Sequence, residues 1–500
     1  MPEHRGTRWR RELLGALGAG AGIASGLGLP GAAVARAQGP GIAVTDADGR
    51  LGAVEAFRAA GTGLVEGAGV RWERLTFWWR GLQEGPGAPL NPFYFPLENV
   101  DAERERGMEV VGLLVNTPDW AAADPSRGGT SVPRNLYLPH DHPENYWGQF
   151  VRQVVELYRG KIDKWVIWNE PDITPGDPNA AYYAWAGSVE EYAQLLRVAY
   201  RAAKAGNPAA RVHLAGLTYW VDRERNRPQY FERLLDALAG DPAAAANNYY
   251  FDVATLHLYT DPRALYYVPD LYRDQMRARG LDKPIWVNET NVIPWDDATN
   301  RGTGYDSPSG KRCTLADQAS YLLQAFGLGL AGGVERIAVY KSQDGEGAAY
   351  NGDVDAIERS ALVREDGSLR PAYVAYQTAV SHLRDARGAQ YFPGRNVETV
   401  VVDRPGGQRT TVLWNAAPTP VAARLAVAGG RAEVVNAAGQ ARPLAAAPDG
   451  EYAIALPPAT CNTDLADPAR YLMGGETYLV VEYDVPSGRP AHAARAEALP

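Results

Sequence analysis

The 500-residue chain has only two cysteines and seven histidines. No group of them stands at the spacing of a structural zinc site, and no HExxH run occurs. One His-x-His pair, His140 and His142, keeps a metal-binding reading open. No glycine-rich phosphate loop follows a strand-like run, and no serine-nucleophile elbow is present, so the usual nucleotide and serine-hydrolase signatures are missing. Blocks of Lys or Arg are missing too. The formal charge is −9; without residues 1–37, which hold five Arg and two Glu, it is 45 − 57 = −12. That balance argues against nucleic acid or an anionic membrane surface as partner, and uncharged ligands fit better. Apart from residues 13–29, no apolar run is long enough to span a bilayer.

Residues 1–37 read as an export signal. Arg5, Arg8, Arg10 and Arg11 form a basic start, residues 13–29 a Gly/Ala-rich apolar stretch, and Ala35-Arg36-Ala37 an A-x-A cleavage site, so the mature chain would begin near Gln38. Arg10-Arg11, with Leu13-Leu14 beyond, resembles a twin-arginine signal. The expected location is secreted or extracytoplasmic, with an uncleaved membrane anchor as the alternative. An oxidising compartment permits a disulfide. Cys313 and Cys461 lie 148 residues apart (461 − 313), and the sequence leaves open whether they pair.

Short β-branched or aromatic runs alternate with helix-like stretches as far as Leu383. Strands are predicted at 41–44, 70–76, 109–116, 164–168, 211–214, 253–257, 285–288 and 336–340. Helices are predicted at 54–65, 97–106, 146–158, 189–205, 229–239, 271–279, 315–328 and 372–383. Eight strands, each followed by a helix, predict an α/β fold: a (β/α)8 TIM barrel over residues 38–385, with a doubly wound open sheet as the alternative. Several post-strand segments (81–96, 119–144, 295–311 and 343–357) are rich in Gly, Pro and Asp. In a barrel they would be loops at the C-terminal face, offering Phe93, Tyr94, Phe95, Tyr137, Trp295, Tyr305 and Tyr350 for binding. Helical periodicity then stops. Short strands separated by turns such as Arg404-Pro405-Gly406-Gly407 predict an antiparallel β-sandwich over 386–485 and a tail over 486–500. The sandwich contains one tryptophan, Trp414, and so reads as a structural brace rather than a stacking platform.

Two glutamates end strand-like runs 119 residues apart (289 − 170): Trp165-Val166-Ile167-Trp168-Asn169-Glu170-Pro171 and Pro284-Ile285-Trp286-Val287-Asn288-Glu289-Thr290. Pro171 disfavours the α conformation for Glu170, so the chain is expected to leave the strand extended there. A glutamate closing an apolar strand is seldom buried unless it is paired or working. Two carboxyls at strand ends are what cleavage of a glycosidic bond needs, one as acid/base and one as nucleophile.

The pairing resembles clan A of the glycoside hydrolases, whose barrels carry the acid/base after the fourth strand and the nucleophile at the seventh. The strand count places Glu170 and Glu289 there. Gly69-Val70-Arg71-Trp72-Glu73-Arg74-Leu75 is similar to the clan's second strand, whose arginine falls on Arg74, and Leu256-His257-Leu258-Tyr259 to its sixth-strand His-x-Tyr. Thr117-Pro118-Asp119-Trp120-Ala121 resembles the third-strand exit of family 39 and its relatives, and the barrel-plus-sandwich layout matches theirs. Where many clan members place a tryptophan on the eighth strand, this chain has Tyr340.

The resemblance implies a hydrolase of β-linked oligo- or polysaccharides (β-xylosidase, β-glucanase or β-mannanase type) working by double displacement, without cofactor or metal; the signal pattern makes it a secreted one. It implies that Tyr259 holds the nucleophile, Arg74 keeps Glu289 ionised, Asn169 binds the sugar 2-hydroxyl and His257 orients the site. Trp79 and Trp120 are expected to stack on sugar rings. A non-catalytic carbohydrate-binding barrel and a transglycosidase remain the alternatives.

Overall fold

The computed structural model describes residues 49–57, 63–91, 97–175, 183–300, 313–345, 359–460 and 474–498. Eight short strands carry apolar residues on both faces, as parallel strands covered by helices require. They are β1 (Leu51–Val54), β2 (Trp72–Trp78), β3 (Glu109–Val115), β4 (Lys164–Ile167), β5 (Arg211–His213), β6 (Ala254–His257), β7 (Ile285–Thr290) and β8 (Arg336–Val339). All pair in parallel, with β1 hydrogen-bonded to both β2 and β8. Bridges His213–Val253 and Leu217–Leu256 close the ring between β5 and β6. Helices follow the strands in turn: α1 (Leu64–Ala68), α2 (Leu97–Glu105), α3 (Tyr146–Leu157), α4 (Val189–Gly206), α5 (Tyr230–Ala239), α6 (Ala264–Arg277), α7 (Leu315–Ala331) and α8 (Pro371–Leu383). The arrangement is the TIM barrel, so its C-terminal rim collects the loops that follow the strands.

The first strand departs from expectation. It is Leu51–Val54, whereas the predicted strand 41–44 lies outside the described residues, as do the export signal 1–37 and the loop aromatics Phe93, Tyr94, Phe95, Tyr305 and Tyr350. Its Gly52 makes room for a neighbour: a Cβ there would meet the Trp72 ring at 2.3 Å. Trp72 in turn packs on Trp286 with centroids 5.1 Å apart, and His213 meets Trp286 edge-on at 4.6 Å. These rings plug the barrel interior below the mouth.

After α8 the chain builds two antiparallel sheets. One has six strands in the order Ala441–Pro443, Arg431–Asn436, Tyr478–Tyr483, Gln408–Asn415, Val397–Arg404, Gly388–Phe392. The other has three: Glu451–Leu456, Val421–Ala426 and Arg495–Ala498. The last corrects the predicted tail, since residues 495–498 pair with Val421–Arg424 as an edge strand. Alternation along Gln408–Asn415 turns Val412 and Trp414 to the barrel and Leu413 into the sandwich core. α7 is buried along most of its length between barrel and sheet, with Gly327 against Val400 and Val412. Gln324 donates to Thr477 Oγ1 (2.9 Å) and Thr460 Oγ1 to Asp317 (2.6 Å) across this seam. Cys313, just before α7, is disulfide-bonded; Cys461, the other cysteine of the sequence, lies outside the described residues. No helix among the described residues is long and apolar enough to cross a membrane.

Candidate active site

Residues of β2, β6 and β7 and of the turn after β4 converge on one buried network at the barrel mouth. Arg74 projects from the interior face of β2, two residues beyond Trp72, and His257 ends β6. Glu289 lies near the end of β7, where pairing with β6 passes from Leu256–Val287 to His257–Glu289 and leaves Asn288 as the extra residue. That bulge re-aims the glutamate. Asn288 is buried, and its amide has no partner among the described residues. Glu170 follows β4, and here the expected extended exit is corrected: Trp168 has φ 72° and Glu170 φ 43°. Proline at 171 rules against the right-handed region and leaves the left-handed one available, at a cost of about 1–3 kcal/mol that the surroundings must offset.

Glu289 is held at both oxygens. Arg74 Nη2 donates to Oε1 (2.5 Å) and the Tyr259 hydroxyl to Oε2 (2.5 Å). His257 Nδ1 lies 2.7 Å from Glu170 Oε1 and 3.3 Å from Glu289 Oε2, so the imidazole bridges the two carboxyls. Its Nε2 is 3.3 Å from Arg74 Nη1. A guanidinium can only donate, so Nε2 accepts from it when the ring is neutral; in that form as in the charged one, Nδ1 carries the hydrogen directed at Glu170. One oxygen of Glu170, one of Glu289 and one His257 nitrogen lie within 4.8 Å of one another. These are the three groups that could gather round a metal ion, but the chemistry of the set does not fit one: Nδ1 is occupied by its hydrogen and the Arg74 cation already sits on Glu289. His142 Nδ1 accepts from the Glu144 N–H (3.1 Å), which takes one nitrogen of the His140–His142 pair.

Burial raises the pKa of Glu289, but His257, Arg74 and Tyr259 outweigh it and hold the carboxyl below its ordinary value. Burial opposes the charge of Arg74, and Glu289 more than compensates, pushing that pKa up. Burial, then Glu289 and Tyr340, push the Tyr259 phenol well above its usual value, so it remains a donor. The arrangement thus offers an ionised, oriented carboxylate facing a second carboxyl within reach of one small ring.

Of the other predicted residues, Asn169 is half-buried beside Glu170, and Tyr340 is half-buried with its ring 6.4 Å from that of Tyr259. Trp120 is half-buried, edge-on to Trp79 and Tyr146, with its indole N–H on the Gln83 carbonyl. Trp79 is corrected. It is fully buried, stacked on Phe150 and bonded to Gln83 Oε1, so it presents no face to a ligand. Sequence reasoning did not find Gly216, where a Cβ would meet His257 Nε2 at 2.0 Å; no local pattern marks it.

The barrel and sandwich together form a fold shared with solved family 39 and family 30 glycoside hydrolases. A family 39 glycoside hydrolase from the gut symbiont Bacteroides cellulosilyticus WH2 is similar, with TM-score 0.62 and 15% identity over 87% of this chain and 81% of that one. The family 39 enzyme from Xanthomonas axonopodis pv. citri has TM-score 0.53 and 15% identity over 89% and 96%. A family 30 endoxylanase from Clostridium papyrosolvens C71 has TM-score 0.53 and 14% identity over 88% and 97%. At these identities the likeness establishes the fold. No protein-family model and no curated protein matches the sequence.

Proposed function

We propose that the protein is a retaining β-glycoside hydrolase. The observation that carries this is the juxtaposition of Glu170 and Glu289, with oxygens within 4.8 Å and His257 between them. Retaining enzymes hold their carboxyl groups about 5–5.5 Å apart, whereas inverting ones need roughly 6.5–9.5 Å for a water between. Glu289 attacks the anomeric carbon as the aglycone oxygen takes the proton of Glu170, giving a glycosyl ester. Glu170 then removes a proton from water, whose oxygen displaces Glu289 and releases the sugar with its configuration retained. Tyr259 and Arg74 aim the nucleophile, and Asn169, beside Glu170, binds the 2-hydroxyl. The net charge of −9 and the absence of basic blocks in the sequence fit an uncharged polysaccharide such as xylan, β-glucan or mannan. The N-terminal signal pattern fits action outside the cytoplasm.

Aryl β-xylosides, glucosides and mannosides, alongside the polymers, test the reading. Glu289→Gln is expected to abolish turnover. Glu170→Ala should lose natural substrates yet keep an activated aryl glycoside, with azide restoring the rate and giving the β-glycosyl azide. Full activity in Glu289→Gln rejects the assignment.

A further inference from the structure

Two residues past Glu170, Asp172 is almost completely buried, 1% exposed, in a position the double displacement does not use. Its Oδ2 accepts two bonds from one residue, the Thr218 N–H (2.8 Å) and the Thr218 hydroxyl (2.7 Å). Its Oδ1 has no partner among the described residues. Thr218 belongs to the strip that continues β5. In that strip the Gly216 carbonyl accepts from the Glu170 N–H (3.2 Å), and Leu217 bonds Thr255 and His257 of β6 (3.2 and 3.0 Å). The turn itself closes through Ile173 N–H on the Glu170 carbonyl (3.0 Å). Residues 216–218 are therefore stitched on one side to the strand bearing His257 and on the other to the turn bearing Glu170.

That turn needs holding. Trp168 and Glu170 both sit at positive φ, and a non-glycine residue stays there only where its surroundings over-determine it. A buried carboxyl is an expensive way to anchor a loop unless its hydrogen bonds do something an apolar contact could not. Two donors of a single residue meeting on one oxygen pin that oxygen in place, and here they do so two residues from the proton donor.

We propose that Asp172, through its paired bonds to Thr218, is a positioning residue that fixes the left-handed turn of Glu170 and so aims its carboxyl at the leaving-group oxygen. This rests on Glu170 being the acid/base. Such a clamp has a kinetic signature that general support of the fold lacks. Protonation of the aglycone matters for a poor leaving group and little for a good one, so loss of aim should fall selectively on the poor one.

The test measures kcat/KM for two aryl β-glycosides of one sugar, phenyl and 2,4-dinitrophenyl, together with the Tm of each variant. Asp172→Ala is expected to lose about tenfold or more on the phenyl glycoside and less than about threefold on the dinitrophenyl one, since general acid catalysis is worth roughly 10²–10⁴ in all. Asp172→Asn keeps an acceptor for Thr218 and should recover most of the loss. Thr218→Val, which removes only the hydroxyl and fills the same space, should show the same selectivity in weaker form, and it decides the matter if Asp172→Ala fails to fold. Equal losses on both substrates, or none in Asp172→Ala and Thr218→Val, overturn the clamp while leaving the hydrolase reading standing. A wild-type protein inert on both glycosides overturns the hydrolase reading and this inference with it.

Discussion

His257 occupies its place because residue 216 has no side chain. A Cβ at Gly216 would stand 2.0 Å from Nε2, and the ring has no free direction of retreat: Nδ1 faces Glu170 and Glu289, and Nε2 faces Arg74. Gly216→Ala is therefore expected to lower kcat/KM by about a hundredfold, the order of loss that a displacement near 1 Å produces, and to lower the Tm as well, since overpacking a buried site costs about 1–3 kcal/mol. Wild-type kcat/KM in that variant would mean the ring adapts. The charge on Glu289 gives a second prediction. Its pKa lies below the ordinary 4.5, so the carboxylate persists as pH falls and protonates only below that value. The acid limb of the kcat/KM profile should accordingly lie below pH 4.5, and Arg74→Met should move it upward by removing one of the groups that outweigh burial. A limb unmoved in Arg74→Met would assign it to another group.

At the scale of elements, β2 serves two environments through alternation alone. Arg74 points into the site; Glu73 points out, fully buried, with Oε2 accepting the Phe57 N–H (2.9 Å) and Oε1 without a partner among the described residues. Burial first, then Glu103, raise the Glu73 pKa well above its ordinary value. A raised folded value means the stabilising contribution is complete at pH below the unfolded value and lost as pH rises through the folded one. Glu73→Gln, uncharged but still an acceptor, should raise unfolding stability at pH 7 and make little difference near pH 4. Urea midpoints at the two pH values check this. Element-level reading also marks what the sequence could convey. β4 and β7 are dense Trp/Val/Ile runs with a glutamate just past the first and near the end of the second, so both carboxyls were legible at the right strands. Leu51-Gly52-Ala53-Val54 is too short and glycine-bearing to stand out, and Arg495–Ala498 lacks apolar alternation because it is an edge strand. Trp79 misled because its position just past β2 carries no sign of which side the indole faces. The left-handed turn at Glu170 was missed because proline excludes one region without choosing between those that remain. Gly216 and His257 meet across 41 residues (257 − 216), a contact no local pattern encodes.

For the whole molecule, the question is whether barrel and sandwich are two bodies or one. Val400, Val402, Val412, Trp414, Leu479 and Val481 of the six-stranded sheet belong to the same apolar core as the barrel, and α7 has almost no solvent face left. A helix apolar on nearly every side is stable only when covered on every side, so α7 depends on the sheet as much as on the strands beneath it. Its polar groups are committed the same way: Gln324 to Thr477, Asp317 to Thr460, and the Ser320 hydroxyl accepting from the Thr477 N–H (3.3 Å). Removing the sandwich would bare this surface and strand these groups together, a penalty far above the few kcal/mol by which domains are stable. Calorimetry should therefore show one cooperative transition for the intact protein, with calorimetric and van't Hoff enthalpies agreeing. A chain ending at Leu383 should fail to fold. Opening the Cys313 disulfide should lower the Tm of that single transition, by about 2–4 kcal/mol of stability, without splitting it. Two resolved transitions, or a folded and soluble barrel without its sandwich, would mean that the shared core is a docking surface between independent domains.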